Sequence, residues 1–160
     1  MKIGKSNPLS KSWYEDKRKK NKSIFTKLKN NTENYFRTVT KTGSEDNMYT
    51  VFKPYSKYIS GKGYARGLVP CNARGTNEFK DKKSLAYLIN FFMHPDIKQF
   101  VKHYPIEFDD DLCALSTLLQ WIWRSQIRVG KPINIYIPSE RMRELLLQWI
   151  GECKQIEDVA

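Results

Sequence analysis

Residues 133–137, Ile-Asn-Ile-Tyr-Ile, restrict the fold of this chain more than any other stretch. The run is short, and turn signals bound it: Gly130 and Pro132 before, Pro138-Ser139 after. Its near-continuous apolar character suits a strand buried on both faces, as in a parallel or mixed sheet. Helical patterns flank it. Residues 112–128 read as one helix, with Leu112, Leu115, Leu119, Ile122 and Trp123 facing inward and Trp121 facing a partner or a neighbouring strand. After Pro138-Ser139 a last helix turns Met142, Leu145, Leu146 and Trp149 to the core.

The same reading runs back along the chain. Leu85, Leu88, Ile89 and Phe92 have helical spacing, and His94-Pro95 ends that helix. A second short helix lies in 95–105. Asp109, Asp110 and Asp111 open the next helix, where capping and the helix dipole explain them better than a metal does. Tyr35 to Thr40 and residues 48–59 alternate enough to be strands, and Leu68-Val69 is a short buried one. The sum is a mixed α/β domain over residues 24–155, with a small sheet and three or four helices.

Charge sets the N-terminal region apart. Residues 1–43 hold 12 lysines and arginines against 3 acidic residues, whereas residues 44–160 hold 16 against 14. Residues 1–23 are polar and basic, which predicts a disordered arm. Lys17, Arg18, Lys19, Lys20 and Lys22 would meet phosphate or an acidic protein face. Trp13 and Tyr14 beside them suit base stacking, or docking of the arm on its own domain. Residues 60–81 are rich in Gly and Arg, and Arg66, Arg74 and Asn77 there supply donors. Arg141 and Arg143 stand in the first turn of the last helix, against its dipole. An anionic partner would explain them, and so would plain solvation.

Three cysteines, Cys71, Cys113 and Cys153, are odd in number and far apart, which argues for a reducing, cytoplasmic setting and inert thiols. No apolar run is long enough to span a bilayer, and the first residues lack the apolar stretch of a secretory signal. The phosphate-loop spacing is absent, so no nucleotide cofactor is expected.

Gln120 and Arg124, then Arg128, Gly130 and the strand, resemble the end of the second motor lobe of superfamily-two helicases. The order of residues about 60–150 is similar to the C-terminal portion of DEAD/DEAH-type helicases from phages and mobile elements. Arg128 falls one residue late for that pattern. The resemblance implies arginines that reach toward an anion. The first lobe, with its phosphate loop and acidic Mg²⁺-binding motif, has no counterpart in the sequence. A non-enzymatic nucleic-acid binder, touching its target through Trp121, Arg124 and Arg128 as well as the arm, is therefore the first expectation. The build is also similar to small basic anti-CRISPR proteins, which implies an inhibitor that binds a host nucleic-acid enzyme such as a guide-RNA nuclease complex. A metal-dependent nuclease built from His94, His103, Glu107 and Asp109–Asp111 is the third and weakest expectation.

Overall fold

Three strands run parallel at the centre of the computed structural model, which describes residues 8–73, 78–105 and 108–157. They are β1 (Asn47–Thr50), β2 (Ser84–Tyr87) and β3 (Asn134–Tyr136), in the order β1-β2-β3. Leu85 of β2 sits opposite Met48 on one side and Ile135 on the other. Leu68 adds an isolated parallel bridge to Tyr49. Successive carbonyls of a strand point to opposite sides, and here the Tyr49 carbonyl accepts from Val69 N–H while the Thr50 carbonyl accepts from Leu88 N–H. Leu68 therefore lies on the far side of β1 from β2. Counted with that bridge, the spatial order is second, first, third, fourth along the chain, all parallel. Gly67 makes the bridge possible, because a Cβ there would stand 2.2 Å from the Asn47 carbonyl oxygen.

Alternation along the strands divides the core in two. Tyr49, Val51, Ala86 and Leu88 point to one face; Met48, Leu85, Tyr87, Ile89 and Ile137 point to the other. Three helices from the first part of the chain cover the first face: α1 (Lys11–Lys20), α2 (Ser23–Asn34) and α3 (Ser56–Ile59). On the second face lie α5 (Asp110–Ile122) and α6 (Glu140–Glu157). The short α4 (Pro95–Val101) follows β2 and buries no side chain. A mixed α/β fold with helices on both faces of a parallel sheet is the result, as the apolar run at 133–137 implied. The strand there is β3, although it is less buried than its composition suggested, because it forms the sheet's outer strand beyond β2.

The basic segment is not a free arm over its described residues, 8–22; residues 1–7 lie outside the described residues. Residues 8–22 are ordered, and α1 is capped by the Ser10 hydroxyl, which accepts from Trp13 N–H at 3.2 Å. Leu9, Trp13 and Tyr14 are buried. The Tyr14 hydroxyl donates to the Leu88 carbonyl at 2.8 Å, and Asn90 N–H donates to the Leu9 carbonyl at 2.9 Å. An aromatic side chain buries about 150–250 Å², so two of them can hold a basic segment in place at roughly 25 cal/mol per Å². Of the two roles open to Trp13 and Tyr14, docking on their own domain is the one the fold uses.

Tyr35–Val39 is not a strand but a π-helical turn continuing α2. Phe36 is buried there and Tyr35 stacks on Tyr136 at 5.1 Å, so tertiary contacts override the β-formers. Only the first residues of the expected strand 48–59 pair, because Pro54 opens a 3-10 turn (Lys53–Tyr55) that leads into α3. Leu85 and Leu88 belong to β2 and its extension, not to a helix. Every residue from 84 to 90 is buried, which suits a central strand, and an unbroken apolar run satisfies helical spacing trivially.

Helix α5 is real but shorter than expected and rotated. It ends at Ile122, and its buried residues are Ala114, Leu118, Trp121 and Ile122. Leu112 and Trp123 are exposed. Both stripes have helical period, so spacing alone could not choose between them. In α6 Met142 and Leu146 are buried and Leu145 and Trp149 half-buried, as the sequence indicated.

Candidate nucleic-acid interface

The charge excess maps onto one layer. Residues 8–73 build α1, α2, α3 and β1 and carry 14 lysines and arginines against 5 acidic residues. The described residues from 78 onward carry 11 against 10. In α1 the basic block forms the last turn, where cations favour the helix dipole. Arg18, Lys19, Lys20 and Lys22 are exposed and Lys17 is half-buried. Asp16 takes Lys20 at 2.7 Å and Lys17 at 3.3 Å. Those hydrogen bonds, the one from Lys20 foremost, hold its carboxyl below the usual range. Arg66 is exposed in the turn Ala65–Gly67. Arg74 and Asn77 lie outside the described residues.

The other arginines are largely turned to internal work. Arg141 reaches from the start of α6 to the Asp111 carboxylate, with its Nε at 2.8 Å. One guanidinium nitrogen also donates to Asn90 Oδ1 at 3.0 Å and to the Phe91 carbonyl at 2.7 Å, and the group lies 4.3 Å from the Phe92 ring centre. It ties α6, the end of β2 and the start of α5 together, so neither an outside anion nor solvation explains it. Arg143 donates to the Ile137 carbonyl at 3.1 Å. Arg124 donates to the Ala73 carbonyl, and its Nε is buried without a partner among the described residues.

Of the two places open to Trp121, it faces neighbouring strands and not a partner. It is fully buried, its indole N–H donates to the Val69 carbonyl at 3.1 Å, and its ring meets Tyr87 edge-on at 5.3 Å. Trp123, expected to face inward, is instead the exposed one of the pair, with 49% of its surface open. Leu119, Trp123, Arg124, Arg128 and Trp149 line one open groove between α5 and α6.

The aspartates and His94 serve the helices. Asp109 caps α5, accepting from Asp111 N–H at 2.8 Å and Leu112 N–H at 3.0 Å. Asp110 pairs with Lys98 and accepts from Met93 N–H. His94 is the N-cap of α4, and its ring faces Asp96 at 3.3 Å. Among the described residues no three His, Cys, Asp or Glu side chains converge as metal ligands. Glu107 lies outside the described residues. No helix among them is long and apolar enough to cross a membrane.

A parallel sheet with helices on both faces is the Rossmann-like plan, and a family model of that kind matches residues 1–150. The chain belongs to the YonV C-terminal Rossmann-like domain family. It is 45% identical over 142 residues to the "SPbeta prophage-derived uncharacterized protein YonV" of Bacillus subtilis (strain 168), covering 89% of this chain. The match takes in 34% of that relative, so the chain spans about a third of its length. No solved structure matches. The prophage origin of the relative fits the expected mobile-element setting, but the family replaces the helicase lobe. The geometry agrees, since the helix breaks at Ile122 and Arg124 bonds the chain's own backbone.

Two features of the candidate surface were not read from the sequence: the order of α1 and the exposure of Trp123. The order of α1 was signalled by Trp13 and Tyr14 within the lysine block. Exposure of Trp123 was signalled only by its being two residues from Trp121, which puts the two about 200° apart on a helix.

Proposed function

We propose that this chain binds nucleic acid without catalysis of its own, through the basic helical layer of residues 8–73, in the host cytoplasm. The observation that carries the reading is the segregation of charge: 14 basic against 5 acidic residues on that part of the chain, near balance on the rest. Ordered lysines and arginines on helices release counterions from a phosphate backbone as a set. Fluorescence anisotropy with labelled oligonucleotides tests it. Binding is expected to fall by at least about tenfold between 50 and 200 mM salt, and to weaken when Arg18, Lys19 and Lys22 are all changed to Gln. Salt-independent binding, or none at 50 mM salt, would sink the reading.

A partner protein, such as a host nucleic-acid enzyme held in an inhibited state, is the second reading. The groove with Trp123, Trp149 and Arg128 favours it, because tryptophan and arginine dominate binding energy at protein interfaces. Nucleic-acid binding that needs the α1 cations and ignores Trp123→Ala supports the first reading. Inhibition of a purified host nuclease that is lost in Trp123→Ala supports the second.

A further inference from the structure

A second cavity, of about 510 Å³, opens at the carboxyl edge of the sheet on the α5 side. That volume lies within the range of small-molecule sites. One wall, Cys71 and Asn72, follows the bridge at Leu68; another, Phe91, follows β2. Helix α5 closes the third side with Cys113 and Gln120, and Phe108 stands just before that helix. Counted with the Leu68 bridge, the chain leaves β1 to one side and then crosses to β2 on the other, and open α/β sheets bind ligands outside the carboxyl ends of strands at such a point.

The lining sets the ligand's charge. A helix N-terminus here would ordinarily attract phosphate. Asp109 instead occupies the free N–H groups of α5, and Asp110 and Asp111 follow it. Among the described residues no lysine or arginine lines the cavity. Burial pushes both the Cys71 and Cys113 thiols up, so they stay protonated and neutral near pH 7. Outside the lining, the Tyr87 hydroxyl is buried with no hydrogen-bond partner among the described residues, within electrostatic reach of Cys71.

We propose that this cavity binds a free nucleoside without phosphate, its planar, neutral, hydrogen-bonding base between the cavity walls. Phe91 and Phe108 supply apolar walls for the ring. The Asn72 and Gln120 amides offer donors and acceptors for its edge. A 5′-phosphate would meet the Asp109 carboxylate, which lines the cavity and already takes two N–H groups at the start of α5. The site is separate from the basic layer and does not depend on it.

Calorimetric titration of the full chain with adenosine, guanosine, cytidine and uridine, and with their 5′-monophosphates, tests the proposal. At least one nucleoside is expected to bind about tenfold or more tighter than its monophosphate. The bound nucleoside should slow alkylation of Cys71 and Cys113 and leave Cys153 unchanged. Ser116→Trp, on the exposed cavity side of α5, should abolish both effects with the unfolding midpoint retained. No binding by any of the four, equal binding of the monophosphates, or binding confined to oligonucleotides would overturn it. Cysteine protection that survives Ser116→Trp would overturn it too.

Discussion

Arg141 and Arg66 show how little a residue type says before its neighbours are known. Arg141 serves Asn90, the Phe91 carbonyl and Asp111 at once, and Asn90 is itself buried. Arg141→Ala should cost about 1–3 kcal/mol in urea unfolding, since it leaves buried acceptors without a donor. Arg141→Lys should recover little of it, because one ammonium cannot reproduce the planar fork. Arg66→Ala should stay within about 0.5 kcal/mol of the parent protein. The tryptophans divide the same way. Trp121→Ala should cost about 3–5 kcal/mol, and Trp123→Ala far less, by the same measurement. A large loss at Trp123 would contradict its exposure. Asp110 gives a pH signature. Burial would raise its carboxyl, but the Lys98 hydrogen bond and Met93 N–H outweigh burial and hold it low. A carboxyl lowered by folding stabilises fully above its unfolded value, near pH 4, and loses that contribution as pH falls through the folded value. The stability gap between the parent and Lys98→Met should therefore shrink on acidification below about pH 4. A gap that stays constant from pH 7 to pH 3 would remove the pair from the account.

At the scale of elements, α1 carries the sharpest consequence. An arm can be cut away with only its charge lost, whereas a segment that seats Leu9, Trp13 and Tyr14 in the core cannot. Deleting residues 1–22 should broaden or abolish cooperative thermal unfolding, while Arg18→Gln, Lys19→Gln and Lys22→Gln together should leave the midpoint nearly unchanged. A truncated chain that unfolds as cooperatively as the parent would restore the arm. The same element shows where sequence reading ran out. Composition marked residues 1–23 as solvent-loving because the lysines outnumber the aromatics. The fold depends on the aromatics instead, placed one after the other on the helix face that meets Phe25 and Tyr55. Strand β2 failed for the opposite reason: with every residue from 84 to 90 buried, no polar position remained to reveal the period.

For the whole molecule, the sheet divides two unlike layers, one strongly basic and one near neutral. That division is a property of the topology, because β1 and its helices come early in the chain and α5 and α6 come late. The sequence by itself determined the α/β class, the β3 strand between its turn signals, the capping role of Asp109 and the inward face of α6. These are local matters, set by backbone chemistry and short-range periodicity. The sequence also determined where the charge lies along the chain. Tertiary structure alone decided which stripe of α5 is buried, that α1 joins the core, that Arg141 is a clamp, and that a cavity opens beside Cys71 and Cys113. Each of those depends on a neighbour distant in sequence. A side chain's free energy there is set by what lies across the interface, and a one-dimensional pattern does not contain that partner.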